Sequence, residues 1–135
     1  MDFLLQTATD FAPQLLILVF IAITFLQSGI DKLIDWKGNL SFLKEHFSHT
    51  FLKNSVPLML GFVTLGELVA GVLSVIGIFQ IYIWGSMLIG FYAAVIAGKM
   101  LLLLLFGQRI AKDYAGAMTI AVYFMVVVFG VYLLK

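Results

Sequence analysis

Four long apolar stretches set the pattern of this chain, each interrupted only by isolated polar residues. They cover about residues 13–33, 57–79, 81–106 and 114–134. Within the first, residues 15–26 carry Thr24 as the one polar side chain. Each stretch has about 20 residues or more, enough at about 1.5 Å per residue to span a hydrocarbon core of about 30 Å. Strands of a membrane barrel would be shorter and alternate in polarity, and no alternation is present. The pattern therefore predicts an all-α fold: a single integral membrane domain over residues 1–135, a four-helix antiparallel bundle.

Helix boundaries have local signals. Pro13 and Pro57, the only prolines, stand at the starts of the first and second segments, where a missing N–H costs nothing. Asn54 or Ser55 is placed to cap the second helix. Between segments one and two, Leu40, Leu43, Phe47 and Phe51 recur at helical spacing, with Lys44, Glu45, Ser48 and His49 largely elsewhere. That predicts a short interfacial amphipathic helix over about residues 40–53. A tight uncharged loop is expected around residues 77–80, and a basic loop over residues 107–113.

Composition sharpens this picture. Hydrophobic residues make up 63% of the chain and charged residues 11%, against nearer half and a quarter in a soluble domain. A soluble fold of this size could not hide that much apolar surface, so lipid must cover part of it. A net charge of +1 without a dense basic face argues against nucleic acid as a partner. The absence of cysteine removes disulfides, thiol chemistry and thiolate metal sites. Residues 1–12 hold Asp2 and Asp10 but no Lys or Arg, so the first segment reads as a retained helix and not a signal peptide.

Lys32, Lys37, Lys44 and Lys53 flank or occupy the first loop, and Arg109 and Lys112 the third; the opposite side has only Lys135. The positive-inside rule then puts loops one and three in the cytoplasm and both termini outside. Trp36, Tyr82, Trp84, Tyr114 and Tyr132 fit interfacial aromatic belts.

Small residues recur every fourth position in two segments: Gly66, Ala70 and Ser74 in the second, and Ser86, Gly90, Ala94 and Gly98 in the third. Such stripes let helix backbones approach closely. Glu67 lies about ten residues, or about 15 Å, into the second helix, where a carboxyl costs a few kcal/mol unless it is paired, protonated or turned inward. It is either a ligand or proton site or a hydrogen-bonded tie between helices. Lys99 lies near the end of the third helix. It pairs with Glu67, pairs with Asp31, or snorkels to the interface. A loop near Phe79 would put Lys99 about 10 Å shallower than Glu67.

Gln27, Ser28, Asp31, Lys32 and Asp35 share a membrane side with Gln108, Arg109, Lys112 and Asp113; the two sets either line a polar mouth leading to Glu67 or anchor helix ends at the interface, the reading preferred for Asp35, Lys37 and Lys112. Tyr92 is a further candidate for the pocket wall. The ligand-binding candidates are thus Glu67, Lys99, Asp31, Lys32, Gln27, Tyr92, Arg109 and Asp113. His46 and His49 lie outside the membrane segments, which excludes a bis-histidine haem held by this chain alone, and no metal site is expected. No nucleophile–base pair or phosphate loop is present, so no catalytic residue is assigned.

Ser28-Gly29-Ile30-Asp31-Lys32-Leu33, Glu67-Leu68-Val69-Ala70-Gly71, Gly107-Gln108-Arg109 and Asp113-Tyr114-Ala115-Gly116-Ala117 resemble the DoxX family of small bacterial four-helix membrane proteins, in its Bacteroidota-type variant. The likeness covers nearly the whole chain. It implies a place in the bacterial cytoplasmic membrane and a role as membrane partner of a redox or assembly system, at most a subunit of a quinone-linked oxidoreductase, with no family catalytic residues to carry over.

Three functions compete. The first is a non-catalytic membrane subunit or anchor of a larger redox or envelope complex. The second is a quinone- or lipid-binding protein with an intramembrane carboxyl site. The third is a small proton-coupled transporter acting as an oligomer. No intrinsic cofactor is expected beyond a bound quinone or lipid. The expected partners are membrane lipid and another membrane protein, or a second copy of the chain.

Overall fold

A computed structural model describes residues 2–135 as helices joined by short turns. The order is α1 (Asp2–Asp10), α2 (Ala12–Ile34), α3 (Trp36–His46), α4 (Val56–Trp84), α5 (Leu88–Ile110) and α6 (Tyr114–Leu134). Four of them, α2, α4, α5 and α6, are long and apolar enough to cross a membrane, as a multi-pass membrane protein requires. They pack together: α2 chiefly on α4, α4 on α5 and α5 on α6, while α2 meets α6 over a smaller area. The core between them is built from Leu18, Ile21, Phe25, Ala70, Ala94, Ala97, Leu101 and Val127. Large apolar side chains such as Leu16, Ile23, Leu58, Leu65 and Met118 remain exposed on the outer faces, the surface that lipid covers.

Several boundaries differ from the sequence expectation, and residues 107–110 of the expected basic loop belong to the last turn of α5. The residues 77–80 expected as a loop are helical, and α4 runs on to Trp84. Gly77 does not break the helix, because it serves packing: a Cβ there would stand 2.8 Å from the Gly90 backbone, so the two helices touch through their glycines. The turn comes at Gly85, whose φ of 67° is left-handed and whose N–H closes onto the Ile81 carbonyl. Gln80 reinforces it, its Oε1 accepting from the Ile89 N–H at 2.9 Å. Ser86, expected in the small-residue stripe of the third helix, falls in this turn instead.

The expected helix over residues 40–53 lies earlier. It is α3, Trp36–His46, started by the Asp35 carboxylate accepting from the Gly38 N–H at 3.2 Å. Residues 47–55 form turns instead, stitched by Ser48 and Thr50 side chains bonding back to backbone carbonyls. Ser55 is the N-cap of α4, but its side chain makes no capping bond. A further helix, α1, precedes α2 where none was expected.

α2 ends short of α4. Gly29 sits against Leu68, and Gly71 against Leu26, so contact recedes along α4 as it advances along α2. In that register Ile34 comes level with about Val63, and seven residues of α4 (63 − 56) continue for about 10 Å beyond it. The end of α2, with Asp31 and Lys32, is therefore sunk below the rim of the bundle. α3 folds back across the gap, with Phe47 against Gly107.

Candidate functional site: an ion pair beside a cavity

The sunken end of α2 carries a stripe of polar residues, Thr24, Gln27, Ser28, Asp31 and Lys32, on an otherwise apolar helix. Spacings of three and four residues put most of them on one side. Lys32 turns inward. Its Nζ donates to Ser28 Oγ at 2.7 Å and lies 2.9 Å from Glu67 Oε1. The Glu67 side chain is 2% exposed and that of Lys32 18%. Glu67 stands eleven residues into α4 (67 − 56), or about 16 Å from its start.

Two charges at such depth are tolerable only together. The pair is close in distance yet makes no well-aligned hydrogen bond, and Oε1 of Glu67 has no other donor. Coulomb attraction and the Ser28 bond hold the ammonium, and the carboxylate keeps acceptor capacity for another group.

Glu67 also lines a cavity. About 350 Å³ of space lies between α2, α4, α5 and α6, walled by Glu67, Asp31, Gln27, Ser28, Thr24 and Tyr123 together with apolar side chains including Phe25 and Leu101. It lies beside the α2–α6 contact, the looser side of the bundle. A second cavity of about 260 Å³ lies under α3, bounded by Lys32, His46, Gln108, Asp113, Phe47 and Met59 among others. Glu67 lines the first and Lys32 the second, with Leu104 shared, so the ion pair stands in the partition between them. His46 and Asp113 close the outer end of the second cavity, 3.7 Å apart.

The sequence candidates thus divide. Glu67, Asp31, Lys32 and Gln27 come together at the cavities. Asp113 lines the second cavity and also caps α6, accepting from the Gly116 N–H at 3.0 Å. Arg109 turns away, its guanidinium 4.7 Å from the centre of the Tyr114 ring. Tyr92 is 54% exposed and lines neither cavity.

Lys99 corrects the proposed Glu67–Lys99 pair. Gly66 meets Met100 and Gly77 meets Gly90, so Lys99 lies close to Glu67 in depth, not about 10 Å away. It faces the other way: Lys99 is exposed on α5 and has no ion-pair partner among the described residues. Sequence reasoning also missed Thr24 and Tyr123 as wall residues and Lys32 as the partner of Glu67. The signal for two of these was present. Thr24, Ser28 and Lys32 follow at successive four-residue steps, which stacks them on one face of α2.

The chain matches no family model, no curated protein and no solved structure.

Proposed function

We propose that this protein binds a small amphiphile, a quinone or a lipid, within the membrane, holding its polar head in the cavity beside Glu67. In this reading it is a DoxX-like antiparallel four-helix bundle of the bacterial cytoplasmic membrane with both termini outside. The observation that carries it is the cavity of about 350 Å³ with a buried, ion-paired carboxylate in its wall. Concave, largely apolar spaces with a few convergent polar groups are where small ligands bind. A tie between helices would need the carboxylate but not the space. Native mass spectrometry of protein purified gently from its own membranes is the test. Species heavier than the 15.0 kDa chain by one small molecule are expected, and Glu67→Gln reduces their share. Bare protein alone, in wild type as in variant, would end this reading. Orientation is checked by single cysteines placed at residues 50 and 135, since the chain has no native thiol to interfere; a membrane-impermeant thiol reagent on intact cells should label the second only.

A subunit role is the second reading, and Lys99 favours it. An ammonium midway along α5 on a lipid-facing surface fits a partner helix that carries a carboxylate at the same depth. Recovery of a second protein with wild type and its loss with Lys99→Leu is the expected outcome; equal recovery with both excludes this use of Lys99.

A further inference from the structure

The charges around the first cavity do not balance. Two carboxylates, Glu67 and Asp31, belong to its wall, and no Lys, Arg or His does. One ammonium, Lys32, sits beside Glu67 from the far side of the partition. Asp31 has no ion-pair partner among the described residues. In the α2–α4 register it is level with about Gly66, close to Glu67 in depth. One negative charge at membrane depth is therefore left over, and it faces the cavity. The remaining polar wall is uncharged, with the hydroxyls of Thr24, Ser28 and Tyr123 and the Gln27 amide able to donate or accept. Phe25 and Tyr123 add aromatic rings, which attract cations over their faces.

We propose, resting on the amphiphile-binding reading above, that the ligand is an amphiphile with a cationic ammonium group, which lies between Asp31 and Glu67 while its tail follows the apolar wall. The formal charges of Asp31, Glu67 and Lys32 sum to −1, so one ammonium group balances them. A quinone can accept from the wall hydroxyls but brings no positive charge to set against Asp31. A bare inorganic ion would leave most of about 350 Å³ unfilled. Lys32 is then the tethered counterpart of the ligand, holding Glu67 whether the cavity is filled or empty.

The ammonium can belong to a free amphiphile or to a lipid headgroup, and three probes separate these from the neutral alternative. Octyltrimethylammonium, dihexanoylphosphatidylcholine and a decyl-substituted benzoquinone are titrated against the purified full chain in neutral detergent, and bound copies are counted by native mass spectrometry. The variant is Asp31→Asn, at an exposed position where the amide keeps the shape and the Lys32–Glu67 pair is untouched. Thermal denaturation confirms that it folds.

One copy of an ammonium probe should bind, and Asp31→Asn should weaken it by about fivefold, the scale for losing one partly exposed charge partner. Any binding of the benzoquinone should be unchanged. Octyltrimethylammonium as the tighter probe identifies a free amphiphile as the source, and the phosphocholine lipid identifies a headgroup. The benzoquinone as the only ligand bound overturns the cation and leaves the binding reading standing. Ammonium binding that ignores Asp31→Asn, or a variant that weakens all probes alike, also overturns it. Failure of all three probes overturns the binding reading as well.

Discussion

Two lysines at membrane depth meet opposite fates. Lys32 lies near the sunken end of α2, turns into the bundle and reaches Glu67 at 2.9 Å. Lys99 lies eleven residues from either end of α5 (99 − 88 and 110 − 99), about 16 Å from each, and is exposed on its outer face. A lysine stem covers about a third of that distance, so snorkelling brings the ammonium nearer to water without reaching the end of the helix. Depth is thus a poor guide to what a membrane charge does. The direction it faces decides whether it is neutralised within the fold or must be met from outside. Lys32 is part of the protein's own structure, and Lys99 presents an unmet charge to whatever surrounds it.

The difference should be largest in stability when the inner pair is broken. Glu67→Ala strands the Lys32 ammonium in the partition between two cavities. Breaking a buried pair on one side costs about 3–5 kcal/mol, because the remaining charge keeps its desolvation penalty. A fall in thermal midpoint in detergent is expected for Glu67→Ala. The double variant Lys32→Met/Glu67→Leu should recover most of the loss, since it removes both charges and keeps apolar volume. If the double variant is as unstable as the single one, the pair is not the source of the loss.

Next in size is the glycine contact that aligns α4 with α5 and so sets the face Lys99 presents. Gly77→Ala places a Cβ 2.8 Å from the Gly90 backbone, which can yield only by moving a helix. About 1–3 kcal/mol is expected, as for overpacking elsewhere. Gly66→Ala is the control on the same helix. Its Cβ meets the side chain of Met100, whose unbranched chain can step aside, so a loss under about 1 kcal/mol is expected. Equal losses at the two positions would mean that the backbone contact at Gly90 is no harder to relieve than the side-chain contact at Met100.

The same glycines explain how much was legible in the sequence. The four spans were legible, because runs of about 20 apolar residues admit one solution in lipid. α6 matches its expected bounds, 114–134, because Asp113 starts it with a capping side chain. The α4–α5 turn was not legible. Gly77 and Gly85 are the same residue type eight positions apart, and only three-dimensional packing tells the one that touches Gly90 from the one with positive φ. Placing the turn too early shortened α4 and misjudged the depth of Lys99. Glu67 was legible as the costly residue, but its partner was not. Finding Lys32 required knowing that α2 ends about 10 Å below the rim of α4, a consequence of packing register rather than of either helix's own sequence.

The outer lysine offers the sharpest contrast and the smallest effect on the isolated protein. Lys99→Leu removes a charge that touches no partner within the described residues and adds apolar surface to a face that already carries Tyr92, Leu103 and Phe106. No hydrogen bond or ion pair is lost, and in lipid the substitution removes an insertion penalty of about 2.5–3.5 kcal/mol. The thermal midpoint in detergent should therefore hold or rise slightly, where Glu67→Ala lowers it. A clear drop for Lys99→Leu would show that the ammonium is satisfied inside the monomer, and would erase the distinction between the two lysines. An unchanged midpoint with loss of a copurifying protein would show the reverse: a charge kept at the middle of α5, at a cost to insertion, for a neighbour outside the chain.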